Sequence, residues 1–127
     1  MARPFRYLLE PARTAALGRE RTAGLAFARA REAESRCVAA QQSIGRGAPA
    51  ALFALQAVAA SEARVRVLEA RAVLEAALRH RLRFDADRAA RRRRFARDVA
   101  RAEERRRYED SACGRGARGP AFETPGL

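Results

Sequence analysis

The chain has no lysine, no asparagine and no tryptophan, and only one histidine, one isoleucine and six valines among 127 residues. Its 48% hydrophobic content is therefore mostly alanine, which argues against a thick globular core. The shortage of β-branched and aromatic residues argues against strands, whereas Ala, Arg, Leu and Glu all favour helix. The expected fold class is all-α. His80 has no metal-ligand spacing around it, and no Gly-rich phosphate loop or nucleophile beside a base occurs elsewhere. No catalytic, cofactor-binding or metal-binding residue is nominated, and the chain is read as non-enzymatic.

With no lysine, the formal charge of +12 rests entirely on arginine. The lack of Lys and Asn matches the codon bias of a GC-rich bacterial genome, which bears on source and not on function. A balance this basic favours acidic partners, whether nucleic acid, an anionic membrane surface or an acidic protein groove, and it opposes self-association. There is also no uninterrupted apolar run near the N-terminus, where Glu10, Arg13, Arg19 and Glu20 intervene, so no signal peptide is expected. The longest apolar stretch, residues 48–60, contains Gln56 and is about half of what a bilayer crossing needs. Two cysteines, Cys37 and Cys113, have no evident reason to pair, and a reducing cytoplasm is the expected compartment.

What is present is a heptad. Leu9, Ala16, Ala23, Ala30, Cys37 and Ile44 are apolar at seven-residue steps, and a companion row three residues later reads Ala12, Arg19, Ala26, Ala33 and Ala40. A helix is expected from about residue 4 to 44, with Pro4 in its first turn and Pro11 as a possible restart. The segment Gly45-Arg46-Gly47-Ala48-Pro49 should close it with a glycine cap and turn into a second helix from about 50 to 110, which has no internal Gly or Pro. The second seam is Phe53, Ala60, Val67 and Leu74 with Ala63, Ala70 and Ala77. Arg81, Arg88 and Arg91 then invade it while Phe84, Phe95 and Ala102 keep the register. Because the loop interrupts both seams at once, residues 1–111 should fold as a monomeric antiparallel two-helix coiled coil. Folding at that loop places Leu9 near Phe84 and Asp85, leaves residues 89–110 as a basic overhang, and makes residues 112–127 a disordered tail.

Within the overhang, Arg91, Arg92, Arg93 and Arg94 form the densest positive run, and Phe95, Val99 and Ala102 share one stripe. The arginine run reads either as a grip on phosphates or an acidic protein surface or as the solvated face of an over-long helix; a helix with no partner gains nothing by exposing such a stripe, which favours docking. The acids Glu103 and Asp87 stand four residues before Arg107 and Arg91, the spacing of exposed helical ion pairs. The cluster Leu52, Phe53, Leu55 and Val58 beside the loop reads as a cap on the hairpin end or as a second partner patch.

The opening Phe5-Arg6-Tyr7-Leu8-Leu9-Glu10-Pro11, the stretch Phe53-Ala54-Leu55-Gln56 and the Arg-rich residues 91–108 together resemble the FliJ family of flagellar export proteins and related coiled-coil stalk proteins of type III secretion. The resemblance implies an antiparallel two-helix coiled coil whose paired ends enter the hexameric export ATPase. It also implies contact with the export gate protein and with export chaperones, at the inner face of the membrane and only through those partners. The end carrying Phe5, Leu9, Phe84, Arg91, Arg92, Arg93, Arg94, Phe95 and Val99 would then face the ATPase, with Phe53 and Gln56 as further partner-binding residues. Two other readings stand beside it. One is a basic helix that tracks nucleic-acid phosphates without reading sequence; the other is a plain structural coiled coil.

Overall fold

The computed structural model describes residues 3–118. The described residues hold two helices, α1 (Glu10–Gln42) and α2 (Ala50–Arg118), and no strand. The all-α reading is correct. Residues Leu8–Ala86 form one compact unit, an antiparallel hairpin, and, among the described residues, 3–7 with 87–118 form a second.

α1 begins six residues later than the sequence suggested, and Pro11 explains why. In a helix started at Pro4, Pro11 would lie in the interior, lose a hydrogen bond and crowd the carbonyl of Tyr7. It sits instead in the first turn, where its missing N–H costs nothing, and Leu9 precedes the helix as N-cap with its carbonyl accepting from Arg13 N at 2.9 Å. The far end also differs from expectation. Ser43, not a glycine, caps α1 in a right-handed conformation (φ −84°, ψ −2°), donating from its backbone N to Ala39 O and from its hydroxyl to Ala40 O at 2.9 Å. Gly45 then opens a tight turn by accepting from Ala48 N at 3.0 Å, and the Pro49 carbonyl accepts from Leu52 N to start α2.

α2 runs eight residues beyond the expected stop at 110. Ala112, Arg115, Ala117 and Arg118 are good helix formers, and extending an existing helix fixes one residue per added bond, so Gly114 and Gly116 do not end it. The remainder of the tail, residues 119–127, lies outside the described residues.

The hairpin seam is partly the expected one. Ala16 and Ala23 are buried, and Ala30, Cys37 and Ile44 half-buried, against Ala63 and Val67, which are buried, and Ala60, Ala70, Leu74 and Ala77, which are half-buried. The companion row on α1, however, is displaced by one residue over most of its length. Ala12, Arg19, Ala26 and Ala33 are exposed, while Arg13, Glu20, Phe27 and Glu34 turn inward; Ala40, at the end of the row, is half-buried as expected. Small alanines let the helices approach, and long charged side chains then close over the seam through interhelical ion pairs. Arg13 Nε donates to Asp85 Oδ1 at 2.7 Å, and Arg81 donates to the other Asp85 oxygen at 2.7 Å and through two nitrogens to Glu20. Further along, Arg64 stands 3.5 Å from Glu34. These pairs bring Arg13 to Asp85, where the sequence had placed Leu9, a shift of about one helical turn. Arg81, which looked like an intrusion into the apolar pattern, is a register pin.

Candidate partner-binding surface

Residues 3–7 are non-helical and lie along the part of α2 that had been expected to overhang alone. Tyr7 is 7% exposed, and its hydroxyl donates to Asp87 Oδ2 at 2.7 Å. The Arg91 guanidinium lies 5.9 Å from the centre of the Tyr7 ring, and Arg91 Nε also pairs with Asp87 at 3.1 Å. Two residues earlier, the Phe5 ring packs on Phe95 with centres 5.6 Å apart and planes inclined at 52°. Arg3 borders an open groove whose other walls include Val99, Ala102 and Glu103. An extended chain advances about 3.3 Å per residue and a helix about 1.5 Å, so two residues of the segment keep pace with four of α2. That is the spacing from Tyr7 on Arg91 to Phe5 on Phe95. Phe95 thus has a partner within its own chain, while Val99 and Ala102, half-buried, line that open groove together with Arg3, Asp98 and Arg106.

Asp87 is the polar anchor of this arrangement. The Tyr7 hydroxyl, then Arg91, hold its carboxyl below the usual range against the opposing effect of burial, and Arg94 adds to the shift. In the hairpin, Arg13 and then Arg81 lower Asp85 in the same way, and both arginines are held more firmly protonated by their carboxylate partners.

The remaining surface of this stretch is guanidinium. Between residues 88 and 97 there are six arginines and no acid. Arg92, Arg93 and Arg94 are exposed, and Arg93, Arg97 and Arg101, at four-residue steps, form an exposed row away from the Phe95 stripe. Beyond residue 97 the charge becomes mixed, with Asp98, Glu103, Glu104, Glu109 and Asp110 all exposed.

The nominated residues therefore separate into two groups. Phe5, Arg91, Arg92, Arg93, Arg94, Phe95 and Val99 share the unit that contains residues 87–118. Leu9, Phe53, Gln56 and Phe84 belong to the hairpin. There Leu9 caps α1, Phe84 is half-buried with His80 edge-on at 5.0 Å, and Gln56 is half-buried. Phe53 at 40% and Leu55 at 65% exposure stand in the opening turns of α2, and Leu52 and Val58 are exposed beside them. They do not form a closed cap on the hairpin end. Sequence reasoning missed Tyr7, Asp85 and Glu20 as organising residues. The signal for Glu20 was present, since Glu20 and Glu34 keep the heptad step of Arg13 and Phe27 and face arginines on α2. Both cysteines are free, and no cluster of metal-ligating residues and no helix long and apolar enough to cross a membrane occurs among the described residues.

No protein-family model matches the sequence, and no curated protein and no solved structure matches it.

Proposed function

We propose that this protein is a non-enzymatic coiled-coil component of a flagellar or type III protein export apparatus, docking on the export ATPase ring and the export gate. The observation that carries the proposal is the stretch of residues 88–97, whose charged residues are all arginine, on a helix where Phe5 already packs on Phe95 and Tyr7 is bonded to Asp87. With Phe95 covered, the most prominent groups left to meet a partner are guanidiniums, which suit carboxylate-rich protein surfaces through planar, paired hydrogen bonds. An alanine-seamed antiparallel hairpin suits a part that organises a ring; ATP hydrolysis belongs to the ring. Such a protein works in the cytoplasm and reaches the membrane only through the export gate, with export chaperones as further partners.

The row Arg93, Arg97 and Arg101 also favours a second reading, in which α2 follows a nucleic-acid backbone. Affinity purification from the native cell, with and without nuclease treatment, separates the two. Recovery of a hexameric ATPase that survives nuclease supports the export reading. Recovery of nucleic acid alone, lost at high salt, supports the other and rejects the first.

A further inference from the structure

The hairpin carries a second surface that neither reading uses. A groove of about 500 Å³ runs between α1 and α2. Its floor is apolar: Phe27 and Val38 from α1, Val67 and Leu68 from α2. Leu68 is 49% exposed. The rim is basic. Arg31, Arg64 and Arg71 line the groove against a single acid, Glu34. Glu34 is engaged with Arg64 at 3.5 Å, Arg71 is turned to Glu75 at 3.0 Å, and exposed Arg31 rests with its guanidinium 5.8 Å from the Phe27 ring centre. The eleven-residue interval from Phe27 to Val38 makes the floor about 16 Å long, room for about three turns of another helix.

We infer that this groove is a docking site for an acidic amphipathic helix of a partner protein. An apolar floor seats side chains spaced one turn apart, and Arg31, whose guanidinium rests on Phe27 rather than on a carboxylate, receives a carboxylate beside them. Charge complementarity selects this occupant. A phosphate backbone has no use for a floor of Phe, Val and Leu, and a second copy of a chain with formal charge +12 meets arginine with arginine. The site consists only of hairpin residues and stands whether or not residues 87–118 dock on an ATPase.

The test uses the full-length protein and labelled helical peptides at about 0.15 M salt. One peptide is acidic and amphipathic, with leucines at one-turn spacing and glutamates on both flanks; the second has the same composition scrambled; a short DNA duplex is the third probe. The amphipathic peptide should bind at least about tenfold more tightly than the scrambled one. Leu68→Asp and Arg31→Glu, both exposed positions, should each remove about that advantage while the helical circular dichroism stays unchanged. Replacing arginines 91–94 by glutamine should leave it intact. Equal binding of the two peptides would overturn the site, because charge alone would then explain attachment. So would unchanged binding by both variants, DNA competing with the peptide for the wild-type groove, or self-association that Leu68→Asp abolishes.

Discussion

Replacing Ala23 with leucine distinguishes the observed hairpin from the one that alanine counting suggests. Ala23 is 6% exposed on the seam, where it faces α2. Three added carbons at Ala23 have no free space and must separate the helices or adopt a poor rotamer, at a cost of about 1–3 kcal/mol. Ala26, which the three-residue companion row put inside, is exposed, so Ala26→Leu should change stability by less than about 0.5 kcal/mol. Thermal unfolding followed by circular dichroism reads the difference. For a unit the size of Leu8–Ala86, each kcal/mol lowers Tm by about 4–8 °C. If Ala26→Leu proved as damaging as Ala23→Leu, or if Ala23→Leu raised Tm, the displaced seam would be wrong.

Three further outcomes follow from the same contacts. A side chain at Gly18 meets nothing within 4 Å and one at Gly24 meets only Leu74, so Gly18→Ala and Gly24→Ala should each stabilise the hairpin by about 0.4–1 kcal/mol in urea unfolding; destabilisation at either would deny the open space there. Tyr7→Phe removes the hydrogen bond to Asp87, and amide hydrogen exchange at residues 3–7 should accelerate while exchange in residues 13–40 stays as before; acceleration spread evenly through α1 would count against a local strap. Asp85 and Asp87 bind their protons less readily in the folded chain than in the unfolded one, so acid favours unfolding. Their contribution is complete above about pH 4 and is lost as pH falls below it, which a Tm series from pH 6 to pH 2 should show in the wild type and show less steeply in Asp85→Asn.

The parts of the fold legible in the sequence were those written as local pattern. The step from Ala16 through Ala23 to Ala30, the break at residues 45–49 and the uninterrupted helix after Pro49 all depend on neighbours within a turn or two, whereas Leu9, expected to open that step, is exposed ahead of the helix. The α1 companion row was misread because alanine was counted as interior wherever it recurred. In so alanine-rich a chain that residue marks helix more than burial, and the inward row is written in Arg13, Glu20 and Glu34, whose partners stand on the other helix. The strap was illegible for a related reason. Tyr7 and Asp87 are 80 residues apart, and nothing in either neighbourhood names the other. The need for a cover was visible in Phe95; that Phe5, at the other end of the sequence, supplies it was not.

The most direct measurement of the functional claim is ATP hydrolysis by the export ATPase of the same organism, with and without this protein at matched ionic strength. A rise in rate is expected that persists in a form ending at Asp110 and disappears when arginines 91–94 and Phe95 are replaced together. An unchanged rate and unchanged ring assembly, combined with tight salt-sensitive binding to DNA or RNA, would contradict the export role and leave nucleic-acid binding in its place.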